Sequence, residues 1–335
     1  MRCLTLAQTL VGRGWGALIV GRMPPALAAW IRDAHVDVHA LPDDLDASAE
    51  PRYLALGGML DAADVVVVDH YGLGAKWQRA AADEARLMVA IDDLAARPQA
   101  VDLLVNQNLG ATPDRYRDLV PAGAVVLVGP SYALVRPAFA EARASLSERS
   151  GELRRILVFL SGGDESDVTS RAARAAITAD VPVDVVVGSV YPFADRLFAW
   201  AASRPAVRVH VNTPDMARLM ASADLAIGAP SSSSWERCTL GLPSILVILA
   251  GNQAEVAGHL REAGAALTLG RHDEVTTDQM TVAVAELKAD PRRLRAMGRA
   301  AAAVTDGLGA TRVADALDDL LAARSRPRLL TGADE

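Results

Sequence analysis

Short, continuously apolar runs recur along this chain, and helical patterns separate them almost from end to end. Ala17–Gly21, Asp64–His70, Leu87–Asp93, Leu103–Asn108 and Ala124–Gly129 read as strands. Pro24–Asp33 and Ala75–Ala85, between them, space Ala, Leu and Trp as helices do. Runs without strict alternation mark strands buried on both faces, and strand-then-helix repetition is the signature of a doubly wound parallel sheet. After the polar helical segment Ala140–Glu152 a second series begins: Arg155–Gly163, Val183–Ser189, Val207–Asn212, Asp224–Gly228, Ser244–Ala250 and Ala266–Gly270. Helical stretches Thr277–Ala289, Pro291–Val304 and Gly309–Arg324 follow. The pattern predicts an α/β protein of two Rossmann-like, doubly wound lobes. An N-terminal lobe is expected over residues 1–150, a C-terminal lobe over 151–326, and a frayed tail over 327–335.

Composition agrees with two lobes. The 335 residues exceed one ordinary domain, and 51% are hydrophobic against 22% charged, which supplies two cores and argues against disorder. Aromatics are only 4%, a balance suited to parallel strands under Ala-rich helices. A formal charge of −7 speaks against nucleic acid as a partner, since phosphate backbones are gripped by excess Lys and Arg. The two cysteines, Cys3 and Cys238, form no CxxC pattern, and no apolar run reaches a membrane span of about 20 residues. The expectation is a cytoplasmic protein with no disulfide, metal site or membrane span.

The most informative stretch is Ile227–Pro243, IGAPSSSSWERCTLGLP. A buried strand ends in Gly228, a small-residue turn follows, and Ser231, Ser232, Ser233 and Ser234 lead into a helix that carries Glu236. Hydroxyls and backbone N–H groups at such a turn suit a phosphate, and a Glu one turn later can accept from a ribose diol. A serine-capped helix with an exposed Glu would explain an isolated pair; the length and order of this run favour a ligand site. Gly162 and Gly163 close the first strand of the same lobe, where a missing Cβ lets a ligand approach the backbone. Asn252 and Gln253 place amides at another strand end.

In the first lobe Asp69, His70 and Tyr71 end one strand, Asp92 and Asp93 the next, and Asn106, Gln107 and Asn108 a third. His70 has the chemistry of a general acid or base and Tyr71 that of a donor to a sugar; a purely structural histidine is as good an account. An Asp N-cap explains Asp92-Asp93 better than a metal does. Tyr132 and Arg136, just before the interlobe segment, either face a cleft or pack the linker. The other five histidines carry no assigned chemistry. Neither a P-loop, nor GxSxG, nor a GxGxxG after a strand occurs.

Taken in order, VDHYGL, IDDLA, LLVNQN, YRDLVP, VGPSYALVRPAF, TPDMARLMASADLAIGAPSSSSWERCTLGLP and the later NQ resemble the UDP-2,4-diacetamido-2,4,6-trideoxy-β-L-altropyranose hydrolases of pseudaminic acid biosynthesis. These are relatives of the UDP-N-acetylglucosamine transferase that makes lipid II. The resemblance implies a GT-B fold with an interdomain cleft, and hydrolysis of a UDP-linked diacetamido-trideoxy sugar to UDP and free sugar without metal or cofactor. The free sugar would pass to a condensing synthase, a transient partner, for modification of flagellin or surface glycan. It assigns UDP to Gly162, Gly163, Ser231, Ser232, Ser233, Glu236 and Gln253, supporting catalytic roles to Tyr71, His70 and Asn252, and the sugar to Asp69, Asn108, Tyr132 and Arg136. Members begin with a strand, a Gly-x-Gly-His turn and then a helix resembling MRCLTLA, so the expected general-base histidine lies before Met1. A GT-B transferase using the same UDP-sugar, or a UDP-sugar-binding protein without turnover, are the alternatives. Departure of UDP needs mainly stabilised diphosphate charge, and the remaining task is to place and deprotonate a water.

Overall fold

Residues 1–60, 63–82 and 85–325 are described by the computed structural model. They divide into two compact units, one of Met1–Leu134 with the described residues from Gly309 onward, and one of Val135–Leu308. The expected tail at 327–335 lies outside the described residues.

The first unit runs α1 (Arg2–Val11), β1 (Leu18–Gly21), α2 (Pro25–Asp33), β2 (Asp37–Ala40), α3 (Glu50–Leu56), β3 (Val65–Val68), α4 (Ala75–Ala82), β4 (Leu87–Ile91), β5 (Leu103–Asn106) and β6 (Val125–Val128). Every predicted strand is present, each trimmed at its ends. β2 and α3 were not expected. Asp37-Val38-His39-Ala40 has no apolar run, because β2 leaves its ends exposed and its middle only half-buried. The strands form two parallel sheets, β1-β2 and β3-β4-β5-β6. α1 serves both cores. Leu4 and Ala7 pack with Ile31, Val36, Ile19 and Val38, whereas Leu6 and Leu10 pack with Val89, Ile91, Leu103 and Val105.

The second unit runs α5 (Pro137–Ala144), β7 (Ile156–Phe159), α6 (Val168–Ala176), β8 (Val183–Val187), α7 (Ala194–Ala201), β9 (Val207–Val211), α8 (Met216–Ser222), β10 (Leu225–Gly228), α9 (Ser233–Thr239), β11 (Ser244–Ile248), α10 (Ala254–Glu262), β12 (Ala266–Arg271), α11 (Thr277–Ala289) and α12 (Pro291–Val304). Its one sheet is parallel, in the order β9-β8-β7-β10-β11-β12. That is the 3-2-1-4-5-6 order of the Rossmann fold, with the switch point between β7 and β10. Ile156, Val158, Val185, Val187, Ile227 and Val247 pack one face of the sheet against Ala172, Ala173 and Ala176 of α6 and Met280, Val284 and Leu287 of α11. Alanine lets those helices sit close, which is why so few aromatics suffice.

The division falls between Leu134 and Val135, not near residue 150. The last helix, α13 (Gly309–Ser325), belongs to the first unit. Its Ala310, Val313, Ala314 and Leu317 complete the core around Leu6 and Leu10 of α1. Periodicity finds such a helix but does not say which core its apolar face covers. Among the described residues no helix is long and apolar enough to cross a membrane.

Candidate functional site

In the second unit β7, β10 and β11 are neighbouring parallel strands, so the segments that follow them emerge at one edge of the sheet. Gly162-Gly163, Ser231–Glu236 and Asn252-Gln253 are those segments, and the first two flank the switch point, where open α/β sheets bind ligands. After β7 the chain turns through Gly162, whose carbonyl accepts from Gly188 N–H at 3.0 Å. A Cβ on Gly188 would lie 2.3 Å from that oxygen, so the two loops close up only because residue 188 is glycine. Asp164, buried, anchors the turn to α6: Oδ2 accepts from Thr169 N–H (2.6 Å) and Oγ1 (2.8 Å).

After β10, Ser231 is half-buried, Ser232 exposed, and Ser233 and Ser234 buried. The hydroxyls of Ser231 and Ser233 lie 3.0 Å apart, and Ser232, at the start of α9, makes no side-chain cap bond. Glu236 does not stand alone. Arg136 places Nε at 3.0 Å and Nη2 at 2.9 Å from the same oxygen, Oε1, so Oε2 takes part in neither contact. Arg136 itself stacks over Phe139, 5.0 Å from the ring centre. Burial pushes the Glu236 carboxyl above its ordinary pKa, and the Arg136 charge opposes that rise. Gln253 spends its carbonyl on the end of β11, accepting from Leu249 N–H at 2.8 Å, while Asn252 is exposed.

At the strand ends of the first unit the organising residue is Arg2. Its guanidinium donates to Asp69 through Nε (3.1 Å) and Nη2 (2.5 Å), and to Asp93 through Nη1 (2.9 Å). Burial works against the Arg2 charge, but the two carboxylates more than offset it and hold the pKa above its ordinary value. Tyr71 Oη donates to Asp93 at 3.3 Å. His70 is exposed, and its Nδ1 accepts from Gly72 N–H at 2.9 Å. A neutral ring accepting at Nδ1 carries its proton on Nε2, at the edge that is free of this turn. Arg97 fixes the same turn by donating to the carbonyls of His70 and Tyr71. Asp92 is buried and caps a turn, as expected, accepting from Ala95 N–H (2.8 Å) and Tyr116 Oη (3.0 Å). Asn108 is half-buried, with its backbone N–H on Asn106 Oδ1. Tyr132 packs its ring on the Leu6–Leu10 core.

The structure thus groups the sequence candidates into two strand-end clusters and draws Arg136 to Glu236, in the second unit. Sequence reasoning missed Arg2, Arg97 and Arg237. Arg2 lies in MRCLTLA, where the apolar spacing and not the charge carries the reading, Arg97 follows IDDLA outside any motif, and Arg237, though inside the serine run, reads as an ordinary exposed helix position.

Residues 167–317 match the glycosyltransferase family 28 C-terminal domain. The chain is similar to the spore coat polysaccharide biosynthesis protein SpsG of Bacillus subtilis, 29% identical over 211 residues, 62% of each chain. It therefore spans less than two thirds of that relative's length. It is also similar to the UDP-2,4-diacetamido-2,4,6-trideoxy-β-L-altropyranose hydrolase of Campylobacter jejuni, 23% identical over 60% of this chain and 72% of that one. Among solved structures, Acinetobacter baumannii MurG superposes with a TM-score of 0.65 over 95% of both chains at 15% identity. Residues 167–317 are thus similar to a glycosyltransferase family 28 C-terminal domain, and the chain has a two-lobe, glycosyltransferase-like GT-B fold.

Proposed function

We propose that this chain is a UDP-sugar enzyme whose second unit holds UDP, and that it hydrolyses a UDP-linked 2,4-diacetamido-2,4,6-trideoxy sugar to UDP and the free sugar. The observation that carries the UDP assignment is the flanking of the switch point by Gly162-Gly163 on one side and Ser231–Glu236 on the other. Gly162 and Gly163 admit the diphosphate close to the backbone, the hydroxyls of Ser231 and Ser232 donate to it, and Ser233 supports them from behind. Glu236, with Oε1 occupied by Arg136, offers Oε2 to the ribose diol.

In the reaction a water oxygen bonds to the anomeric carbon as the bond from that carbon to the β-phosphate oxygen breaks. UDP leaves with the electron pair, and the water's second proton passes to a base. The donors that meet the diphosphate stabilise charge that grows as the bond breaks, which is where stabilisation lowers the barrier. Asp69, His70, Tyr71, Asn108 and Tyr132 are assigned to the sugar, and the Nε2–H of His70 suits an acetamido carbonyl. Asn252 is assigned a supporting role in turnover. The similarity to the Campylobacter hydrolase supports this substrate and outcome. Transfer to an acceptor is the second reading, favoured by the family 28 domain. A nucleoside diphosphate site serves both.

UDP release from the UDP-diacetamido-trideoxy sugar decides. Release without acceptor supports hydrolysis. Release only when an acceptor is supplied supports transfer, and a protein that binds UDP without either reaction refutes both. Glu236→Ala should weaken UDP binding about five- to 150-fold, the worth of about 1–3 kcal/mol of net hydrogen bonding. Unchanged affinity would remove Glu236 from the site.

A further inference from the structure

Arg237 is the largest anomaly of the second unit. Its side chain is only 2% exposed, yet among the described residues it has no ion pair. Its hydrogen-bond acceptors are all neutral: Nη1 donates to Ser233 Oγ (3.0 Å), and Nη2 to Ser234 Oγ (2.9 Å) and the Ala229 carbonyl (2.8 Å). The Glu236 carboxylate, whose Oε1 is held by Arg136, acts on it only through space. Nε has no partner. The guanidinium fits because residue 228 is glycine, where a Cβ would stand 2.7 Å from Nη1. Burying a cation without its counter-ion is costly, and an apolar side chain of similar volume would hold the helix at less expense. Burial lowers the Arg237 pKa to about 10, which leaves it charged at neutral pH.

The direction of the hydrogen bonds shows where that charge is felt. Arginine only donates, so Ser233 Oγ accepts a hydrogen bond from a cation, which polarises its own O–H into a stronger donor. Ser231 Oγ lies 3.0 Å away to accept it. Either hydroxyl can donate in that contact; with Ser233 donating, the Ser231 O–H is left to donate onward, from a half-buried residue next to exposed Ser232. In that arrangement two hydroxyls connect a buried positive charge to the open side of the loop. α9 has only seven residues, so its dipole is the weaker source of positive potential there.

We propose that Arg237 is a positioning residue for an anion: it acts through Ser233 and Ser231 on the phosphates of a nucleoside diphosphate and supplies the counter-charge the loop otherwise lacks. This rests on the assignment of UDP to the same loop. Its particular consequence is that the contribution of Arg237 grows with the charge of the ligand.

The test is calorimetric binding of uridine, UMP and UDP to the wild type, Arg237→Met and Ser233→Ala. In R237M the affinity for UDP should fall about tenfold or more, that for UMP less, and that for uridine by no more than about twofold, since a charge-assisted bond loses its charge. Equal losses for all three ligands would show that Arg237 merely shapes the loop, and would overturn the proposal. Should R237M not fold, S233A keeps the guanidinium and cuts the relay. It should lose UDP affinity while keeping uridine, and unchanged UDP affinity would overturn the proposal equally. Failure of wild-type protein to bind UDP would remove the underlying assignment, a result visible before any variant is made.

Discussion

Replacing Arg136 by Met isolates the electrostatics around Glu236. In the folded protein Arg136 sets two donors on Oε1 at 3.0 and 2.9 Å, with 21% and 16% of the two side chains exposed. Removing one partner of a fully buried pair costs about 3–5 kcal/mol. Here both groups keep some water, so about 2 kcal/mol is expected when Glu236 is ionised. Burial already raises the Glu236 pKa, and loss of Arg136 raises it further. A carboxyl with a higher pKa folded than unfolded binds extra protons in the native state. Its contribution to stability is therefore present at low pH and lost as pH climbs from the unfolded value, about 4.3, through the folded one. The gap between wild type and R136M should be small near pH 4.5 and approach its full size by pH 8. Urea unfolding at the two pH values measures it, and R136M/E236Q should recover most of the loss, since an amide needs no counter-charge. A gap that is the same at both pH values and unmoved by E236Q would refute the argument.

Gly188→Ala should destabilise the protein by about 1–3 kcal/mol, because its Cβ would meet the Gly162 carbonyl at 2.3 Å; a wild-type melting temperature would show that the loops separate freely. Arg2→Met leaves Asp69 and Asp93 side by side without their cation, and should cost about 2–4 kcal/mol in chemical unfolding, where a loss under about 0.5 would mean solvent already screens them. Tyr71→Phe and Asn252→Ala should slow UDP release about tenfold or more with little change in melting temperature. Wild-type turnover in both would exclude those residues from the reaction.

The Ser231–Glu236 run shows how far local reading goes. An apolar run ending in glycine, a turn of small hydroxyl residues and a helix with an acidic first turn are all local events. The chain therefore announces them wherever the sheet places them. The same holds for the strands, whose continuous Val, Ile and Leu runs already state that both faces will be covered. β2 escaped because a half-buried strand of four residues writes no such run.

Partnership is another matter. Glu236 was legible as a candidate acceptor, but Arg136, 100 residues away in sequence, was expected at the sugar or in the linker. The charge of Arg237 is set by what surrounds it, and its neighbours become Ser233, Ser234 and Ala229 only when α9 folds back over the end of β10. Likewise α13 advertises an apolar stripe, and the choice of the α1 core over that of the second unit follows from packing complementarity between non-neighbouring segments. The sequence by itself determined which segments are buried and which turns are small and polar, because backbone propensity and hydrophobic period are local. Only the tertiary structure decided which charges meet, which stand unpaired, and which strand ends share an edge, because those depend on strand order and on contacts between residues far apart in the chain.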